Sequence, residues 1–171
     1  MAEPAGLGLP FDPIARAGET WEREFGAASA MRVATSVMRV QQLLLARYDA
    51  VLKPYGITFA RYEALVLLRF ARRGALPLKV MGERLMVHPT SVTNIVDRLV
   101  ASGLVERRPN PADGRGVLAS LTEAGRDVVE RATRDLMAIE FGLDVLDEVA
   151  RDTVYEQLRA VRLAAGDVAE S

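Results

Sequence analysis

Residues 79–121 read KVMGERLMVHPTSVTNIVDRLVASGLVERRPNPADGRGVLASL, and the succession of helix and turn signals within them fixes the architecture. KVMGERLMV, residues 79–87, has the pattern of a short amphipathic helix with Val80, Met81 and Leu85 inward. His88-Pro89 breaks it. Residues 89–102 form a second helix, with Pro89 at the favoured first position and Gly103 closing it. LVERR, residues 104–108, and VLASL, residues 117–121, are short strand candidates. PNPADGRG, residues 109–116, lies between them as a turn-rich tip. Short helix, tight break, second helix and hairpin make a helix-turn-helix followed by a wing.

The second helix divides by face. Val92, Ile95, Val96 and Leu99 recur at the spacing of one buried stripe. Thr90, Ser91, Thr93, Asn94, Asp97 and Arg98 are left outside. Small polar side chains keep a helix slim enough for the DNA major groove and carry donors and acceptors for base edges, with Asn suited to adenine. The free amides at the Pro89 end favour a phosphate oxygen. Such a face alone also fits an ordinary solvated helix. The hairpin tips the balance, because Arg107, Arg108 and Arg115 are expected to cluster at its tip. An arginine on a thin loop reaches the narrow, electronegative minor groove. Asp113, two residues before Arg115, can hold that side chain by a charge-assisted bond.

Working outward, residues 1–18 carry Pro4, Pro10 and Pro13 and are expected to be loosely ordered or draped on another element. Trp21 and Phe25 are four apart and could share a short helical stripe. Residues 29–53 lack Gly and Pro, and their apolar arc is wide enough for burial on two sides. Pro54 and Gly56 end that helix. Thr58 is placed to cap the next one, residues 59–73, with Gly74 as its stop. ALPL, residues 75–78, allows only a minimal strand. Thr122 caps a long helix to about residue 141, and a last helix spans about 146–165 with Val149, Val154, Leu158, Val161 and Ala165 as its stripe. The fold class expected is mainly α with a small β component (α+β). A winged helix-turn-helix over 57–122 joins a helical dimerisation region from 29–56 and 123–171, behind a partly flexible N-terminal extension, 1–28.

Composition narrows the chemistry. The 171 residues are 50% hydrophobic and 26% charged, as in a globular protein with a real core. With no Cys, the chain has no disulfide, thiolate metal site, cysteine nucleophile or thiol sensor of its own. With one His, His88, no histidine-rich metal site can be built in one protomer. His88 reads as a helix-start residue near phosphate. The N-terminus has no basic residue before Arg16 and no long apolar core, which is unlike a secretory signal. No run approaches the ~20 apolar residues of a membrane span. The protein is expected in the cytoplasm, without a cofactor. Net charge is −1, yet residues 1–78 carry +3, residues 79–116 carry +2 and residues 117–171 carry −6. The acidic end masks a mildly basic middle where the motifs lie, and it would orient each protomer with its basic side toward phosphate.

VTNIVDRLVASGLVERRPNPADGRGVLASLTEAGR, residues 92–126, resembles the signature stretch of the MarR family of winged-helix transcriptional regulators. The matching elements are Val92-Thr93, Asp97-Arg98-Leu99, Gly103-Leu104-Val105, Arg107, Asp113-x-Arg115 and Leu121-Thr122-x-x-Gly125. The helix order before and after also matches, over about residues 29–165. The resemblance implies an obligate homodimer of triangular shape that binds palindromic sites near promoters. It puts a recognition helix in the major groove, at residues 89–98, and a wing arginine, Arg115, in the minor groove. Three departures stand out. His88 replaces a frequent Ser or Thr cap, Gly82 stands at a position usually held by alanine at a propensity cost of ~1 kcal/mol, and the first 28 residues exceed the common core.

The function expected is that of a sequence-specific DNA-binding regulator, a ligand-responsive repressor that binds double-stranded DNA as a homodimer. Its DNA-binding residues are Pro89, Thr90, Ser91, Thr93, Asn94, Arg98, Arg107, Arg108, Asp113 and Arg115. The alternative is a winged-helix protein-interaction module that does not bind DNA. No enzyme motif is present: no G-x-G-x-x-G, P-loop, G-x-S-x-G or H-E-x-x-H. Dimerisation has a physical basis besides the resemblance. Two reading helices about 34 Å apart meet successive major grooves, and long terminal stripes need a partner to leave water. The resemblance further implies a small aromatic or phenolic effector at the junction of the dimer helices and the winged helix. Trp21, Met38, Tyr48, Tyr55 and Tyr62 could line such a pocket, each being taken singly as core.

Overall fold

The computed structural model describes residues 7–72, 74–110 and 113–167, the last segment without the side chains of residues 113–115. Its elements run α1 (Pro13–Glu24), α2 (Ser29–Leu52), a 3₁₀ turn (Lys53–Tyr55), α3 (Phe59–Arg69), β1 (Ala75–Pro77), α4 (Leu78–Leu85), α5 (Pro89–Ala101), β2 (Val105–Asn110), β3 (Asp113–Leu121), α6 (Glu123–Ala138), a second 3₁₀ turn (Glu140–Gly142) and α7 (Glu148–Ala164). The three strands form an antiparallel sheet in the order β1-β3-β2. Ala75 pairs with Ser120, so the minimal strand seen in ALPL closes the sheet beside the wing.

Around this sheet lies one continuous core. Leu65 and Leu68 of α3, Met81 of α4, Val92, Val96 and Leu99 of α5, Ala119 of β3 and Val129 and Leu136 of α6 are all essentially inaccessible. Each large aliphatic side chain in it contributes about 2 kcal/mol by leaving water. The core also takes in Tyr48 and Leu52 of α2. It therefore runs across the boundaries drawn at 57 and 122, and the inner ends of the terminal helices share the interior of the winged helix.

Several expectations shift. Residues 13–18 are helical rather than loose: Asp12 Oδ1 accepts from the Ile14 amide at 2.8 Å, and Pro13 is pre-set for the first turn. Gly18 then lies against α2 with the Arg32 guanidinium stem across it, and Arg32 pairs with Glu22 at 2.7 Å. Thr58 stands at the cap position of α3 but its side chain makes no cap bond; Asp49 Oδ1 of α2 accepts from the Phe59 amide instead, at 3.1 Å. Helix α3 stops at Arg69, not residue 73. The chain tightens through Ala71 to the Leu68 carbonyl and must reach β1 at Ala75. Arg73 lies outside the described residues.

Helix α4 also ends early, at Leu85, because Met86 turns left-handed (φ 54°) and the Val87 amide returns to the Gly82 carbonyl at 3.1 Å. The break therefore precedes His88-Pro89. The glycine at 82 has a packing reason: a Cβ there would lie 3.3 Å from Val92 Cγ2, where α5 crosses α4. Helix α6 stops at Ala138 and α7 starts at Glu148, with a left-handed knot between them.

The Leu121-Thr122-x-x-Gly125 motif stitches the wing to the end of α5. Thr122 Oγ1 accepts from the Gly125 amide at 3.0 Å and donates to the Gly103 carbonyl at 2.8 Å. A Cβ on Gly125 would sit 2.0 Å from the Leu104 carbonyl oxygen, which is backbone and cannot swing away. Gly125→Ala should therefore lower the stability by about 3 kcal/mol, read as the midpoint shift in urea unfolding.

Candidate nucleic-acid interface

Helix α5 is held by its buried face and offers the other. Val92, Val96 and Leu99 are buried, Ile95 is half-buried, and Thr90, Ser91, Thr93, Asn94, Asp97 and Arg98 are all exposed. The helix begins at His88, whose Nδ1 accepts from the Thr90 amide at 3.3 Å; an imidazole does the work of a hydroxyl cap. That bond requires Nδ1 unprotonated. Thr93 donates to the Pro89 carbonyl at 3.2 Å, which fixes its rotamer and leaves its oxygen lone pairs facing out. Among the described residues, the side chains of Thr90, Ser91, Asn94 and Arg98 make no hydrogen bond or ion pair. They form a polar ridge with its donors and acceptors open.

The arms of the hairpin are longer than the strands anticipated at 104–108 and 117–121. They pair from Val105↔Leu121 to Pro109↔Val117, and again at Asn110↔Asp113 after a register shift. Most of the segment expected as loop, 109–116, is thus strand. Arg107 and Arg108 do not cluster at the tip. They stand opposite Ala119 and Leu118, partway down the arms, and each is engaged. Arg107 meets Asp97 of α5 at 2.8 Å, and Arg108 pairs with Glu106, which also accepts from Ser120. Arg107 is therefore a brace between helix and wing. Asp97, read from the sequence as part of the polar face and of the Asp97-Arg98-Leu99 motif but given no partner, is its other half; the signal was an acid on the outer face of the helix with arginines on the adjoining strand. The side chains of Asp113 and Arg115, and the proposed bond between them, lie outside the described residues.

The candidate effector residues are brought together only in part: Tyr48, Tyr55 and Tyr62 belong to or pack on one core cluster, and Trp21 and Met38 lie apart from it. Tyr48 and Tyr62 are buried around Phe59, with centroids 4.6 and 5.9 Å away. The Tyr55 hydroxyl donates to Asp135 at 2.5 Å, which holds its pKa above the ordinary value; burial adds to this, and Arg131 and Arg134 oppose it. Trp21 and Met38, taken as core, are exposed in the protomer. Trp21 lies against Phe25 at 5.0 Å, and Met38 lines a cleft of about 790 Å³ between α2 and residues 7–14. Among the described residues no group of three His, Asp or Glu could hold a metal ion, and no helix is long and apolar enough to cross a membrane.

A slender polar helix braced against a two-stranded wing is a winged helix-turn-helix. The profile of the MarR family matches residues 55–116. Sco5413, a MarR family transcriptional regulator from Streptomyces coelicolor, is 60% identical; the comparison covers 82% of this chain and 98% of that one, with a TM-score of 0.76. A single-residue mutant of Escherichia coli MarR, solved in complex with operator DNA, is 27% identical over 78% of this chain and 96% of its own, with a TM-score of 0.69. The HTH-type transcriptional regulator YhbI of Bacillus subtilis is 33% identical over 56% of this chain, and the match spans 60% of its length. The chain belongs to the MarR family of transcriptional regulators.

The brace is exposed, so its energetic share is small even though its geometric role is not. A double-mutant cycle on Asp97→Ala and Arg107→Ala should return a coupling of about 0.5 kcal/mol. Amide exchange in β2 should quicken in either single variant; unchanged exchange would show that the wing holds its angle without the pair.

Proposed function

We propose that this protein is a sequence-specific DNA-binding regulator, a ligand-responsive repressor that grips palindromic promoter DNA as a homodimer. The observation that carries the reading is the open polar ridge of α5, whose Ser91, Asn94 and Arg98 have no partner among the described residues and stand beside a projecting wing. In this reading the Pro89 end and Thr90 face phosphate, and Ser91, Thr93, Asn94 and Arg98 face base edges. Arg115 enters the minor groove with Asp113 as its support. Arg107 and Arg108 act mainly by holding the wing. The DNA complex of the E. coli relative supports the placement by likeness of fold.

The dimer rests on apolar surface without a partner. No residue of α7 is buried in the protomer, and Val149, Val154, Leu158 and Val161 are 41–75% exposed along it. On α2, Val33, Val37, Met38 and Val40 are exposed as well. Segments 29–56 and 123–171 serve as the dimerisation region, and 57–122 as the reading head. The protein works in the cytoplasm as a binding protein rather than an enzyme, with a small molecule as its effector.

Binding to a sequence selected from a random DNA pool should fall steeply with salt, since each neutralised phosphate adds about one unit to the log–log slope. Arg115→Ala should lower affinity without dissociating the dimer; equal affinity at several salt concentrations would remove Arg115 from the interface. Asn94→Ala should relax base preference at one position per half-site, worth about 1–3 kcal/mol of discrimination. An unaltered selected sequence would place base reading elsewhere on α5. Absence of any DNA binding at low salt would favour a winged helix that recognises protein instead.

A further inference from the structure

Among the described residues, the one run of consecutive left-handed backbone lies between α6 and α7. Glu140, Phe141 and Gly142 follow one another at φ 48°, 51° and 73°. Two of these are ordinary L residues in the left-handed region, which persists only where the surroundings over-determine it. The surroundings do so here, and α2 supplies most of them. Tyr48 Oη donates to the Phe141 carbonyl at 2.7 Å, and the two rings meet edge-on at 6.0 Å. Burial lifts the Tyr48 hydroxyl above its ordinary pKa, against the pull of Arg47. Arg47 pairs with Asp144 at 3.0 Å just past the knot. Arg151, in the first turn of α7, donates to the Leu143 carbonyl at 3.2 Å and pairs with Glu140. Gly142 packs so closely on α2 that a Cβ would lie 3.0 Å from Leu44 Cδ2.

Beyond this knot no residue of α7 is fully buried within the protomer, and past its first turn only Arg159, Arg162 and Leu163, toward its far end, are half-buried. The hydrogen bonds and ion pairs that fix where α7 leaves the reading head are those at the knot. From this we infer that the Glu140-Phe141-Gly142 knot, latched by Tyr48, is the positioning element that sets the angle between the two reading heads and so the half-site spacing the protein accepts. The inference rests on the dimer reading above. The leverage is large: a helix of 17 residues is about 25 Å long, and a tilt of about 10° moves its far end by about 4 Å. One base-pair step is about 3.4 Å. A small change at the knot is thus enough to move a reading head out of register. Tyr48 touches no base or phosphate in this scheme, and acts through the carbonyl it holds.

The chain has no cysteine, so Ala101→Cys, exposed at the end of α5, gives one spin label per protomer. The full-length labelled protein should show a narrow inter-label distance distribution. Adding Tyr48→Phe, which removes only the hydroxyl, should broaden it. The same change should reduce the preference for the selected operator over versions with the half-sites moved two base pairs apart by about fivefold, the worth of one hydrogen bond. Gly142→Ala, strained at its φ and crowded by Leu44, should broaden the distribution further. Variants that melt at lower temperature but keep both the distance distribution and the spacing preference would overturn the positioning role and leave the dimer standing. A labelled Ala101→Cys sample with Tyr48 intact and no inter-label distance at all would instead refute the dimer reading, and the inference with it.

Discussion

Burial of Val92, Val96 and Leu99 is what makes the surface of this protein usable. These three side chains lie on one face of α5 and are withdrawn almost completely from water. Once they are buried, helical periodicity leaves the opposite face no choice but to project. The polar ridge of Ser91, Asn94 and Arg98 is thus a consequence of core packing, and it is as rigid as the core behind it. The brace from Asp97 to Arg107 and the stitch through Thr122 extend that rigidity to the wing. An interface that must present several donors at fixed offsets gains from this, because little side-chain and backbone freedom remains to be lost on binding.

The helix-turn-helix and wing were legible in the sequence because they are built from local signals. Pro89 at a first turn, Gly103 at a stop and a Thr122 cap act within a few residues of themselves, and each works as read. What was not legible depends on contacts distant in sequence. The cap of α3 comes from Asp49, ten residues upstream on another helix, so the Thr58 signal looked sufficient. The early end of α4 follows from a left-handed Met86, a conformation that no propensity assigns to methionine. The wing arms run longer than their apolar residues because sheet pairing needs backbone partners and not hydrophobic side chains. Helix α1 is the exception: Asp12-Pro13 is a local start signal, and the nearby Pro4 and Pro10 masked it.

The arginines illustrate the same limit for the site. Arg98, Arg107, Arg108 and Arg115 look alike in a string, and all four fit a DNA contact. Placement separates them. Arg107 and Arg108 already have carboxylate partners, whereas Arg98 has none among the described residues. A guanidinium that is paired in the free protein must give up that bond, or share it, to reach a phosphate. Its net contribution to affinity is smaller and its contribution to shape is larger. Charge counting alone would overstate how many cations this surface delivers to DNA.

A division of labour follows between the two ends of the molecule. The reading head is closed upon itself: its core is complete within one chain, and the caps and stitches that hold it are internal. Helix α7 is the reverse, a well-capped helix with Asp147 accepting from Ala150 at 2.8 Å and no interior of its own. Isolated helices of this length are marginal in water, so its persistence in solution calls for apolar cover from outside the protomer. In the proposed dimer, that cover ties the order of α7 to association. Stability then rises with protein concentration, and a ligand that strengthened or loosened the dimer contacts would act on the spacing of the reading heads without touching either of them.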